Sequence, residues 1–471
     1  MSARFSRKVV ALVLGVVLLS GGSLTSATAV PSAELPRKFD RAILSPNASP
    51  RAIVGFEHDV TASTVRRLAA AGITKAVVLD TIDAVGVLGP REAYVAIARW
   101  ADVDYVAADL RLQLNNHTAK KDTFVTDVRA GRKPLKGKYT GKGVTVAVID
   151  TGIQSTHPDL DDRVVKDLNF EPGWFFDSIV DGTYSDQVAE TTGNKVDSYG
   201  HGTHVAGIVA GTGEAGAAGG PEADMSGVAP GANLVNFKIA DASQGYCVAG
   251  EPCDFGWEIN ALVAYEYLIE HRNDEAYPGG IRIATNSWSV FEVDSDAEPI
   301  TLIVEKAAEK GIVNLFAASN DGPEENTVAP GPNSLEEVIT VGASCKSDEC
   351  GLGMIADFSS RGPQVDVAAP GQNIYSTWAQ ASALPSTGHT PPGPPENRAY
   401  YVSASGTSMA TPHVAGIVAL MLEANPKLTY VRVEKILTKT ATDYGTKGFD
   451  TAFGFGQVHA LKAVGASEKL K

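Results

Sequence analysis

Three short stretches of the chain carry the residue types that hydrolytic chemistry needs, each at the end of a regular element. In VTVAVIDTGI, Asp150 closes an apolar run of strand character, and Gly152 follows within two residues. In GHGTHVAGIVAG, His201 stands at the start of a small-residue helix, with His204 three residues on. In SASGTSMATPHVAG, Ser408 opens a helix that is apolar nearly all round. Such a helix is buried, and its free N–H groups and dipole point at whatever sits near Ser408. Taken singly, each residue has a plainer reading. Asp150 is a turn or cap residue, Ser408 an N-cap, and the two histidines a metal pair. Together they supply a nucleophile, a base to take its proton and a carboxylate to orient that base.

Rival chemistries fit less well. No Glu lies in the His201 helix to make HExxH, which disfavours a zinc hydrolase and leaves one His as base with the other packed. An elbow-type esterase needs its acid and His after the nucleophile, where the Asp and His residues are Asp443, Asp450, His413 and His459. GTSMA also lacks the second Gly of that elbow, and too little chain remains for the strands. An inactive binding protein of the same shape finds no support, because every catalytic position is filled.

The elements that must position these residues are legible. Val144–Ile149, Leu234–Ile239, Ile281–Thr285, Ile312–Ala317 and Val338–Val341 read as strands. Helical segments include Trp257–His271, Thr301–Lys310 and Ser408–Ala424. Near-continuous Val/Ile/Ala runs separated by helices imply an α/β domain around a buried, mainly parallel sheet. In such sheets catalytic groups gather at the carboxyl ends of strands. Residues 52–113 read instead as a small β-α-β-β-α-β unit of ferredoxin-like type. Its strands are 52–56, 75–80, 82–88 and 105–112, with helices over 61–71 and 90–100. Asn115–Lys142 is basic and polar and reads as a boundary, while Ala379–Asn397, with five prolines, reads as an exposed loop.

The chain has 471 residues, 44% hydrophobic and 20% charged, which suits a folded protein of two or three domains. Arg4, Arg7 and Lys8, an apolar run from Val9 to Leu19 and the small residues Ala27–Ala29 read as a cleaved secretory signal. The expected divisions are 1–29 signal, 30–114 N-terminal unit and 115–471 catalytic domain. The net charge is −15; the first 29 residues carry +3 and residues 30–114 balance, so the remainder carries −18. That acidity argues against nucleic acid and anionic membrane partners, and a secreted monomer is expected. Four cysteines in an exported chain read as two disulfides, with three pairings open. Local pairs, Cys247–Cys253 and Cys345–Cys350, are expected, and neither spacing is the usual zinc knuckle.

VAVIDTGIQSTHPDL, GHGTHVAG and GTSMATPHVAG, in that order, resemble the three active-site signatures of the subtilase (subtilisin-like serine protease) family. GVAPGANL, TNSWS, FSSRGP and GFGQVHALKAV add to the likeness, which covers roughly residues 140–465. The resemblance implies a serine endopeptidase acting on proteins or peptides through an acyl-enzyme, with Asp150, His201 and Ser408 as triad and His204 structural. It implies Asn320 as amide donor to the oxyanion, with Ser287, Trp288 and Ser289 as the edge strand for an extended substrate. Ser289 and Ser319 stand where the family has Gly. The N-terminal unit resembles the family's propeptide, a folding assistant and transient inhibitor, whose tail around Leu114 suits the substrate groove. No cofactor is implied for catalysis. A structural Ca2+ is implied by the match of Asp159 to one ligand, but the loop Thr212–Ser226 is not the usual calcium loop, and its Glu214, Glu222 and Asp224 are ligands or merely solvated. No family pattern matches the insertion 163–197.

Overall fold

The computed structural model describes residues 39–40, 43, 51–108, 111–114, 120–170, 189–190, 197–215, 224–240, 256–290, 299–347, 350–379, 382 and 399–470. At 111–114, 189–190 and 256–257 it is the backbone that is described. The chain divides into two compact units, one built on residues up to Asp109 and one from Leu110 onward.

The smaller unit is a four-stranded antiparallel sheet in the order Lys75–Leu79, Ala84–Leu88, Arg51–Phe56, Val103–Ala108. Helices Ala62–Ala70 and Arg91–Ile97 connect them, which is the expected ferredoxin-like topology. Thr61 caps the first helix by accepting from the Thr64 N–H, which answers one of the donors a helix start leaves unpaired. One expectation fails. The run 105–112 is not a single strand: Val103–Ala108 pairs with Arg51–Phe56, whereas Arg111–Leu114 joins a different sheet in the larger unit. The alternation of the sequence gives strand character to both pieces but carries no sign of which partner each one finds.

The larger unit is built on an eight-stranded sheet. Its order is Val367–Pro370, Val338–Ser344, Val313–Ala317, Ile281–Asn286, Thr145–Asp150, Asn233–Lys238, Val164–Asn169, Ala189–Glu190, with only the last pair antiparallel. The five strands expected from the apolar runs are all present. Val164–Asn169 and Val367–Pro370 were not anticipated. The former is mostly half-buried or exposed, which suits a position near the edge, and the latter is only four residues long. Val146 and Val148 of the central strand are fully buried, as are Val205 and Val209 of one facing helix and Val414, Ile417 and Val418 of the other. Burial on both faces of the sheet is why its strands read as unbroken apolar runs. The basic stretch before the sheet is not all linker: Val125–Ala130 is helical, with Val125 and Val128 in the core. Residues 241–255, which hold Cys247 and Cys253, lie outside the described residues, as does nearly all of the proline-rich loop. The Cys345–Cys350 disulfide is formed.

Candidate active site

Asp150 is the last residue of the central strand Thr145–Asp150, and His201 is the first of the helix His201–Ala210. Asp150 Oδ1 lies 2.7 Å from His201 Nδ1, and both residues are buried. The helix can approach this closely because Gly202 has no side chain: a Cβ there would sit 2.1 Å from the Gly152 carbonyl oxygen and 3.1 Å from the Asp150 Cβ. With Nδ1 engaged by the carboxylate, the imidazole is held in one orientation, and Nε2 becomes the atom that exchanges protons.

A second carboxylate builds this seat. Asp197 is buried and takes the Gly200 N–H at 2.7 Å, the Thr203 N–H at 2.9 Å, the Thr203 hydroxyl, and the Thr151 hydroxyl at 3.0 Å. Thr151 in turn accepts from the Gly202 N–H at 2.9 Å and donates its own N–H to Asp150 Oδ1 at 2.8 Å. Asp197 thus links the strand end that carries Asp150 to the helix start that carries His201. Burial raises its pKa, and hydrogen bonds from Thr203 and Gly200, with the Lys238 ammonium nearby, act against that rise. Nothing in the sequence marked Asp197, which closes an insertion without a recognisable pattern.

Ser408 is the second residue of the helix Thr407–Ala424, and α-helical packing sets this helix against the His201 helix. Its hydroxyl donates to the Ser287 carbonyl at 2.9 Å, and the Ser287 hydroxyl donates back to the Ser408 carbonyl at 2.8 Å. That carbonyl is open to Ser287 because its helical partner four residues on is Pro412, which has no N–H. A proline inside a buried helix therefore ties Ser408 to the neighbouring strand.

Asn320 lies just past the strand Val313–Ala317. Its Oδ1 accepts the Thr407 N–H at 3.0 Å and the Thr407 hydroxyl at 3.1 Å, which turns Nδ2, the donating end, the other way. Ser319 before it sits at φ +88°, a left-handed conformation in which a side chain costs energy. Its hydroxyl donates to Asp321 Oδ2 at 2.6 Å, and its carbonyl accepts from Thr407 Oγ1 and the Ser360 N–H, so the turn is held from both sides. The side chain has a use here that explains why Gly is not needed.

The edge segment Trp288–Val290 pairs antiparallel with Arg111–Leu114, setting Leu114 opposite Trp288 and Leu112 opposite Val290. Gly256–Trp257 pairs antiparallel with the other side of Arg111–Leu114. Trp288 meets Arg111–Leu114 through its backbone and not its ring. The indole is fully buried against Phe316, and its N–H donates to the Ile149 carbonyl at 2.9 Å. Ser289 is buried beside it. His204, one turn on from His201, pairs with the Val402 carbonyl at 3.2 Å; burial and the neighbouring His201 push its pKa down to about 3, so it is neutral.

Residues 141–456, two thirds of the chain, match the subtilase family. The chain belongs to that family. The subtilase is 36% identical to serine protease AprX of Bacillus subtilis over 338 residues, covering 69% of this chain and 67% of that protein. It is 33% identical to subtilisin E of the same species, covering 69% and 66%. Among solved structures it resembles Sphericase, at 26% identity and a TM-score of 0.52, covering 71% of this chain and 96% of the other. Fervidolysin of Fervidobacterium pennivorans, at 24% identity and a TM-score of 0.63, shares the fold, and the subtilase spans 60% of its length. It is thus a subtilisin-like serine protease.

Proposed function

We propose that this subtilase is a secreted endopeptidase, made as a precursor that cuts itself between Leu114 and Asn115. Ser408 Oγ attacks the scissile carbonyl carbon, and its proton passes to His201 Nε2, which Asp150 holds in place. The negative charge on the carbonyl oxygen is met by Asn320 Nδ2 and the Ser408 N–H, donors fixed before reaction. The C–N bond then breaks, His201 returns the proton to the leaving amine, and the acyl-enzyme is hydrolysed by water activated at the same imidazole. No cofactor enters any of these steps.

The observation that carries the reading is the seating of Arg111–Leu114 as a middle strand between Gly256–Trp257 and Trp288–Val290. Addition of an extended segment to a sheet edge is how many domains recognise peptides through the backbone. With Leu114 opposite Trp288, the segment ends where the Ser287–Ser408 link holds the nucleophile. An intramolecular cut there gains from high effective concentration, even for a mediocre substrate sequence. The freed residues 30–114 would then stay on as inhibitor until degraded.

The test is maturation of the precursor. Wild-type protein should acquire Asn115 as its first residue, read by mass spectrometry, whereas purified Ser408→Ala should keep its full length. Maturation of the Ser408→Ala protein at the same bond would assign the cut to another protease.

A further inference from the structure

The family resemblance implies a structural calcium ion with Asp159 among its ligands, but the residues around Asp159 do not fit one. Its carboxylate is fully buried, and both oxygens already accept protein donors. Oδ1 takes the Ala215 N–H at 2.7 Å and the Thr212 hydroxyl at 3.4 Å, and Oδ2 takes the Tyr401 hydroxyl at 2.7 Å. The Asp159 carbonyl accepts the Thr212 N–H at 3.1 Å. The loop after the His201 helix is therefore bonded to Asp159 directly, by donors that a cation would repel.

Positive charge is also already present. The Lys120 ammonium donates to the carbonyls of Asp224 and Ser226 and to the Ser226 hydroxyl, and stands 3.5 Å from Asp224 Oδ2. An ammonium has three donors, and three oxygens receive them. Arg129 completes the cluster, donating to Ser226 Oγ at 2.7 Å and the Gly227 carbonyl at 3.3 Å, with Asp224 Oδ2 at 3.5 Å. Asp224 Oδ1 accepts the Ser226 N–H at 3.0 Å. Two cations thus balance the carboxylates Asp159 and Asp224, and a divalent ion beside them would face net repulsion. Burial pulls Lys120 down to about 8, with Asp224 opposing, so the group keeps its charge at pH 7.

We propose that Lys120 is a built-in cation: its ammonium fills an oxygen-lined seat and fastens the start of the catalytic domain to the 224–227 turn, where the family resemblance leads one to expect a metal ion. Carbonyl, hydroxyl and carboxylate oxygens converging on one point are what a hard cation takes as ligands. Here a covalently attached one occupies them, so no ion has to be acquired for this loop to be held.

The experiment compares mature wild type with Lys120→Met, both inactivated by a fluorophosphonate so that self-digestion does not set the midpoint. In EDTA the variant should melt at least about 5 °C lower, since it takes one of its two cations from the Asp224 carboxylate and leaves two carbonyls short of a donor. Millimolar calcium should recover part of that loss. Should Lys120→Met fail to fold, Asp224→Asn, which removes the charged partner and keeps the carbonyls, should show a smaller loss of the same kind. A variant that melts with wild type in EDTA would overturn the proposal. So would calcium bound to wild type, counted by mass spectrometry of the metal, that disappears in Asp159→Asn.

Discussion

The two halves of the active site are held in different ways. The Asp150–His201 half rests on a closed set of hydrogen bonds, in which Asp197 and Thr151 each serve both the strand end and the helix start and Thr203 adds to the hold on Asp197. The Ser408–Asn320 half is held by separate links, Ser408 to Ser287 and Asn320 to Thr407. One residue, Thr407, supplies both donors that Asn320 Oδ1 is given, and one left-handed turn at Ser319 sets the backbone before it. The first half needs an exact imidazole orientation through the whole cycle, so its support is redundant. In the proposed mechanism the Asn320 donor of the second half acts, together with the Ser408 N–H, on charge that develops only in the transition state.

The largest separation between the halves should come from their functional side chains. His201→Ala is expected to lower kcat by ~10⁶-fold, because nucleophile and base act as a unit. Asn320→Ala should lower it only by about 10²–10³-fold with KM nearly unchanged, since the donor acts on the transition state. Equal losses in the two variants, measured on one peptide substrate, would erase the distinction.

A smaller effect tests the redundancy itself. Asp197→Asn keeps the volume but replaces one acceptor oxygen by a donor, which meets N–H and hydroxyl donors head-on. We expect kcat to fall about 10-fold and the melting temperature by a few degrees, at about 1–2 kcal/mol for a lost buried hydrogen bond. The structural role shows in the split: Asp197→Ala should lose more stability than Asp197→Asn while both bind substrate normally. An Asp197→Ala enzyme with wild-type kcat would show that Thr151 and Thr203 suffice alone.

The smallest effect is on stability against pH, and here the halves should behave alike. Each of the helices that carry His201 and Ser408 buries a neutral histidine, His204 on one and His413 on the other, the latter 2.7 Å from Thr123 Oγ1. Burial pushes both down to about 3, helped by His201 in the first case and Lys120 in the second. The unfolded chain takes up these protons near 6.5, so below that pH it binds more protons than the fold does. Stability contributed by the neutral forms is full above about 6.5 and lost as pH falls toward 3. The melting temperature of inactivated enzyme should drop over that range, and His413→Gln should flatten the slope as much as His204→Gln. A slope unchanged in both variants would place acid sensitivity elsewhere.

Much of this protein was written in its residue order. Strands buried on both faces must be continuously apolar, so five of the sheet strands and the three long helices could be read directly. The residues proposed as catalytic stand out because each lies at an element end inside a long motif of small residues, and Gly202 shows why: backbone must pass where any side chain would collide. What the sequence could not carry was pairing across long separations. Alternation along 103–114 announces a strand, yet only the fold decides that 103–108 and 111–114 belong to different sheets. Asp197 and Lys120 look like ordinary surface charges in sequence. Burial next to converging donors or acceptors gives them their roles, and burial is a property of the assembled chain. Pro412 is the reverse case, a residue that forbids a helical bond locally and whose freed acceptor finds its donor, Ser287, only 121 positions away once the chain has folded.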